Sequence, residues 1–189
     1  AFWQRHAPAP DSGGSFNWLD RDGSVFDTDK AMWLQGRTVW LFSELYNTLE
    51  PRQEWLDMAR HGFEFLMKHG FDSQGRMFFL LTRDGRPLRQ RRYLFTETFG
   101  VIACAEYAQA TGDQQAWQRA RDTYRLVIDL HRTPGALPPK VFPETRVTKR
   151  QAMPMILLAT TQEIRQVDSD PLYEEVVDEA LDQILNHFL

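Results

Sequence analysis

The sequence predicts an all-α fold in which inner and outer helices alternate along the chain, a two-layered curved array of the α/α toroid or solenoid type. Three observations predict it. A segment of about 60 residues recurs along the chain. Each copy carries a helix that is apolar nearly all round, followed by one that is apolar along a single stripe. In the first two copies an Asp-Gly turn precedes the all-apolar helix.

The repeat is read by overlaying Asp11–Trp55 on Asp72–Trp117. Asp11-Ser12 matches Asp72-Ser73, Arg21-Asp22-Gly23 matches Arg83-Asp84-Gly85, Glu44 matches Glu106, and Trp55 matches Trp117. A third, more divergent copy begins near Met153. Each of the first two units opens with a short β-hairpin, because Asp22-Gly23 and Asp84-Gly85 supply a positive-φ turn between short apolar runs. The all-apolar helices follow, over Met32–Tyr46, Phe95–Ala108 and Met153–Ala159. Amphipathic helices come next. Trp55, Ala59, Gly62, Phe63 and Leu66 keep helical spacing, and Trp117, Ala120, Tyr124, Val127 and Ile128 repeat the stripe, as do Val176, Val177, Ala180, Leu181 and Ile184. Glu50-Pro51, Gly112-Asp113 and Asp170-Pro171 punctuate the helices.

A helix that is apolar all round must be covered on both sides, whereas an amphipathic one keeps a wet face. The first is therefore inner and the second outer. The hairpins join outer to inner helices on one rim, where loops and inner-helix ends converge and a site is expected. A plain helical scaffold would show the same repeat, so the repeat alone assigns no chemistry. Three helix pairs do not close a ring. The opening AFWQRHAPAP reads as the tail of a helix, and the closing DQILNHFL carries no capping residue. We therefore expect residues 1–189 to form one partial α/α barrel, with its start and C-terminal half missing.

Composition narrows the function. The 189 residues are 42% hydrophobic and 13% aromatic, enough for a buried core. A net charge of -4 with mixed signs argues against nucleic acid as a partner; the densest basic run, Arg83–Arg92, is broken by a turn and a proline. No apolar span is long enough for a membrane helix. The single cysteine, Cys104, lies in an apolar run and reads as a small core residue, which suits a reducing cytoplasm. No cysteine pair and no histidine pair at i, i+4 marks a metal site.

One stretch stands out. In KAMWLQGRTVW, Lys30–Trp40, Arg37 lies four residues after Trp33 and three before Trp40, on one helical face. A charge in such an apolar helix is costly unless it is paired or used. Pairing with Glu44 or Glu97 is one reading; a binding site is the other.

GGSFNWLDRDGSVFDTDKAMWLQGRTVWLFSELYN, Gly13–Asn47, resembles the N-acylglucosamine 2-epimerase family, and LTRDGRPLRQRRYLFTETF, Leu81–Phe99, and AMPMILL, Ala152–Leu158, resemble its next two blocks in the same order. The resemblance implies an (α/α)6 barrel, of which about half is present. It implies inversion at C2 of N-acetylglucosamine to give N-acetylmannosamine, by removal and return of the C2 proton of the open-chain sugar. Such chemistry calls for two groups titrating near neutrality, one on each sugar face, and histidine suits it. Family members are understood to use two histidines in the second half of the barrel, beyond Leu189.

The resemblance makes Arg37 an essential arginine. Permanently protonated, it cannot be the base, but it can hold sugar oxygens and stabilise charge at O1 or O2. Trp33 is a candidate wall for the sugar, with core packing equally open, whereas Trp40 reads as core. Glu97, with Tyr93 and Phe95 beside it, is a candidate to bind a hydroxyl or orient Arg37, and Gln35 either contributes or bridges helices. His6, His61, His69, His131 and His187 fall outside the inner helices and read as solvated or structural. No cofactor is implied. Some family members respond to ATP, and the loop Arg132–Arg150, with Lys140, Arg146, Lys149 and Arg150, is a candidate nucleotide contact, although no phosphate-binding loop motif is present. A half-barrel exposes apolar helix ends, so association, as in a homodimer, is expected. The alternatives are a sibling epimerase or isomerase of unmodified aldoses, a non-catalytic scaffold, and a glycosidase, the last disfavoured because no close acidic pair stands out on the inner helices.

Overall fold

The computed structural model describes residues 2–89, 93–142 and 144–188. Its helices, in chain order, are α1 (Phe2–His6), α2 (Met32–Glu44), α3 (Gln53–His69), α4 (Phe95–Thr111), α5 (Gln114–Arg132), α6 (Ala152–Ile164) and α7 (Pro171–His187). The inner helices α2, α4 and α6 pack side by side, and each packs against the outer helix that follows it, α3, α5 or α7. The predicted division thus holds: α4 buries residues almost all round, while α5 buries only a stripe that includes Ala120, Tyr124, Val127 and Ile128.

Helix ends differ from the sequence reading for local reasons. After Glu44 the backbone loosens into a π-helical turn, Leu45–Leu49, where an α-helix was expected to reach Tyr46. Helix α4 runs to Thr111 because its stop is Gly112, which closes it in a left-handed conformation (φ 74°). Helix α6 continues past Ala159 because Thr160 and Thr161 are buried; the Thr161 hydroxyl bonds the Leu157 carbonyl and meets the Tyr124 hydroxyl on α5 at 2.7 Å. Asp113 and Asp170 cap α5 and α7 with their side chains. Arg121 grips Asp168 through two hydrogen bonds of 3.0 and 2.8 Å, tying α5 to the α6–α7 turn.

Strands β1 (Trp18–Leu19) and β2 (Val25–Asp27) form the first hairpin. A short strand β3 (Lys30–Ala31) precedes α2, and β4 (Leu80–Leu81) with β5 (Pro87–Arg89) forms the second hairpin. Strand β3 also pairs with β4, which was not expected and stitches the first unit to the second. Lys30 supports that seam. Fully buried, its ammonium donates to Ser12 Oγ at 2.9 Å, the Gly13 carbonyl at 2.5 Å and the Arg83 carbonyl at 2.9 Å, above the Phe65 ring.

The histidines at the ends of α1 and α3 have matching structural posts. Each packs at a tilt against a phenylalanine four residues earlier (Phe2–His6 and Phe65–His69, ring centroids 4.9 Å apart in both) and lies under the turn glycine of the following hairpin, Gly23 or Gly85. The last turn of α1 thus matches the last turn of the outer helix α3. Cys104 is fully buried, and burial pushes its thiol up to about 12. Among the described residues no helix is long and apolar enough to cross a membrane.

Candidate functional site

Trp33, Arg37, Trp40 and Glu44 follow one another at four-, three- and four-residue spacing and so share one side of α2. Arg37 is exposed on that side. Its guanidinium carbon lies 5.1 Å from the Trp33 ring centroid and 4.7 Å from that of Phe99 on α4. The two rings stand 6.0 Å apart at 49°. Among the described residues Arg37 makes no ion pair, so neither Glu44 nor Glu97 holds it. Two aromatic faces steer the cation and leave its N–H groups free to donate, while the rings offer apolar surface beside it. Phe99 was not among the expected site residues; it lies four residues after Phe95, and only the packing of α2 on α4 brings it to Arg37. On the other flank of α2 a cavity of about 180 Å³ reaches Arg37 between Trp3, Phe16, Asn17, Leu34, Thr38 and Leu41.

Glu97 stands elsewhere in this arrangement. It is fully buried in the first turn of α4, where one carboxylate oxygen accepts from Arg76 Nε at 2.6 Å and from the Met77 backbone N–H at 3.1 Å. Arg76 also donates to the Tyr93 carbonyl at 3.1 Å. The expectation that Glu97 orients Arg37 is corrected: among the described residues the cation that holds it is Arg76, supplied by the turn after α3. Nothing in the sequence near Arg76 signals this, because the two residues meet only when the turn folds over the head of α4.

Gln35 is also fully buried. Its carboxamide accepts from the Ser15 N–H at 2.8 Å and donates to the Ser15 carbonyl at 2.6 Å and to Asn17 Oδ1 at 3.0 Å. It bridges α2 to the loop before β1, not to a second helix. Tyr93 and Phe95 stack with centroids 5.7 Å apart at 18°, and Lys140 from the α5–α6 loop rests on them. Trp40 is half-buried and donates from its indole to Glu163 at 2.9 Å. The histidines lie on α1, α3, α5 and α7, none on an inner helix. Of the expected basic run, residues 90–92 lie outside the described residues.

The fold also assembles three carboxylates that the sequence reading did not group. Glu44, Glu106 and Glu163, one from each inner helix, bring an oxygen apiece within 4.8 Å of one another. This corrects the expectation that no close acidic pair occurs on the inner helices. The overlay of Glu44 on Glu106 was the available signal, and the corresponding glutamate of the third unit is Glu163. Asn47 donates to Glu106 Oε1 at 2.6 Å and to its carbonyl at 3.1 Å. Burial pushes the Glu106 carboxyl up to about 7; the Asn47 hydrogen bond opposes this, while Glu44 and Glu163 add to it. Glu44 lies two turns beyond Arg37, roughly 10 Å along the helix axis, so the cluster is separate from the arginine.

A sequence model of the N-acylglucosamine 2-epimerase (GlcNAc 2-epimerase) family matches residues 14–189. N-acylglucosamine 2-epimerase from Mus musculus is 34% identical over 194 residues, covering 99% of this chain and 46% of that protein. The Homo sapiens protein is 32% identical and covers the same share of this chain. The chain thus spans about half the length of these relatives. Among solved structures, cellobiose 2-epimerase from Bacillus thermoamylovorans B4167 superposes with a TM-score of 0.84 at 22% identity, over 97% of this chain and 51% of that one. That likeness gives the fold, half of an (α/α)6 barrel. With the sequence match running through the Arg37 helix and all three inner helices, the chain belongs to the N-acylglucosamine 2-epimerase family.

Proposed function

We propose that the protein carrying this chain interconverts N-acetylglucosamine and N-acetylmannosamine by inversion at C2, and that these 189 residues supply its substrate-holding arginine. The observation that supports this most is Arg37 itself, exposed and without an ion-pair partner among the described residues, yet steered by Trp33 and Phe99. Removal of the C2 proton from the open-chain sugar gives an enolate whose negative charge gathers on O1, since C2 carries the acetamido nitrogen. Guanidinium N–H groups aimed at that oxygen stabilise the charge. Trp33 and Phe99 present apolar surface to the sugar's C–H face. Gln35 acts indirectly by fixing the Ser15–Asn17 loop, and Glu97 by fixing the head of α4, which carries the Tyr93–Phe95 platform. The proton-transfer pair, two histidines in the resemblance, comes from outside these residues, since no described histidine lies on an inner helix.

The reaction moves protons and no net electrons, so it calls for no redox cofactor. A nucleotide effector such as ATP would meet the basic side chains Lys140, Arg146, Lys149 and Arg150. Association into a homodimer and a cytoplasmic location belong to the same reading. A sibling reading, an epimerase of unmodified sugars, draws on cellobiose 2-epimerase from Eubacterium cellulosolvens, 30% identical over 65% of this chain but only 30% of that protein. The test is an NMR assay of the 189-residue chain in D2O. It is expected to bind N-acetylglucosamine in preference to glucose or cellobiose, without deuterium entering C2. Preferential binding of cellobiose would favour the sibling reading; C2 exchange would overturn the placement of the proton-transfer groups.

A further inference from the structure

The α5–α6 loop, residues 133–150, lies on the hairpin rim but has no strand among its described residues. Leu137 packs against the core near its start, while Phe142 and Val147 farther along are 77% and 96% exposed. Between them Lys140 contacts the rings at the head of α4. Its ammonium lies 3.9 Å from the Tyr93 ring centroid and 5.0 Å from that of Phe95, above the stacked pair. Phe95 stands one helical turn from Phe99, the ring beneath Arg37. The platform and the Arg37 wall are therefore continuous along α4, and Lys140 sits at the mouth.

We propose that Lys140 is a clasp that closes the 133–150 loop over the mouth of the site, resting on a ring platform that a sugar must take from it. The use of the platform by sugar rests on the functional reading above; the clasp itself does not. A cation on aromatic faces at a partly exposed site shifts an opening equilibrium by a few-fold. Because a ligand that needs the open state binds more weakly by the fraction of time the loop is open, removing the clasp tightens binding by that same factor. A lysine that contacted the sugar directly would act the other way.

The loop carries its own reporters, the tryptic sites after Arg146, Lys149 and Arg150. Cleavage of the native chain there tracks the open population when opening is fast. Lys140→Gln and Tyr93→Leu are expected to raise that cleavage about 3- to 10-fold, with Lys140→Arg within about twofold of the parent because the cation is kept. Lys140→Gln is also expected to bind N-acetylglucosamine more tightly by a similar factor. Unchanged cleavage in both Lys140→Gln and Tyr93→Leu overturns the clasp. Faster cleavage with weaker sugar binding overturns the exchange and makes Lys140 a sugar contact. If neither protein binds the sugar, the substrate reading fails and the cleavage rates alone decide the clasp.

Discussion

Arg37 on α2 and Phe99 on α4 face each other across the seam of two inner helices, the guanidinium carbon 4.7 Å from the ring centroid. Gly36 is what lets the helices come so close. A Cβ at that position would lie 2.8 Å from the Phe99 carbonyl oxygen, a backbone atom that cannot rotate aside. Gly36→Ala gains about 1 kcal/mol of helix propensity but overpacks the seam at a cost of about 1–3 kcal/mol. The overpacking wins because the obstacle is backbone. Urea denaturation is expected to show a net loss of up to about 2 kcal/mol; a gain in stability would contradict the close approach.

Arg76 and Glu97 form a buried pair, with side chains 13% and 0% exposed. Arg76→Met keeps the aliphatic bulk but takes a cation, and its hydrogen bond, from a buried carboxylate. A loss of about 2 kcal/mol or more is expected, with Arg76→Lys in between because a single ammonium centre lacks the spread of the guanidinium, whose Nε serves Glu97 and whose terminal nitrogen serves the Tyr93 carbonyl. Thermal unfolding of the three proteins checks this. Equal melting temperatures would mean that the pair does not hold the head of α4.

Glu106 gives stability a pH dependence of definite sign. Its carboxyl goes from an ordinary value of 4.5 to about 7 in the fold, burial being the main cause. Between those values the folded chain keeps a proton that the unfolded chain releases. This contribution therefore falls as pH rises through the window, and levels off above it. Glu106→Gln retains an oxygen for Asn47 and presents an amide to Glu44. The variant is expected to be more stable than the parent at pH 8 by up to about 3 kcal/mol, a difference that vanishes near pH 4. Parallel stability curves from pH 4 to 8 would rule out a raised carboxyl.

Cys104 is expected to resist a thiol reagent in the native chain and to react promptly in denaturant, since burial raises its thiol and closes off access. Rapid labelling of the folded protein would show that the α4 core opens.

Local patterns made much of the fold legible in the sequence. Apolar residues all round α4 and a single stripe along α5 assign them to different layers without any knowledge of their neighbours. Asp22-Gly23 and Asp84-Gly85 likewise announce their hairpins. Contacts between distant residues were harder to read. Lys30 looks like an ordinary polar residue before a helix, and only folding surrounds its ammonium with Ser12, Gly13 and Arg83. Arg76 meets Glu97 by the same kind of closure. At the N-terminus, Phe2 and His6 stand in the same relation as Phe65 and His69, so the repeat extends into the opening residues. In the candidate site, the Arg37 stripe could be read from helical spacing along α2, whereas Phe99 belongs to another helix.

The central claim is that Arg37 holds the sugar. Arg37 is exposed, and its contacts are two ring faces, so Arg37→Ala is expected to change stability by no more than about 1 kcal/mol. Its effect on binding is expected to be much larger. Trp33, one of six tryptophans, lies against Arg37, so titration of the chain's fluorescence with N-acetylglucosamine, with Trp33→Phe to identify the Trp33 signal, reports on the site. The prediction is saturable quenching in the parent chain and at least about tenfold weaker binding in Arg37→Ala, as fits loss of charge-assisted hydrogen bonds, with an unchanged far-ultraviolet spectrum. Sugar binding as tight in Arg37→Ala as in the parent would contradict it.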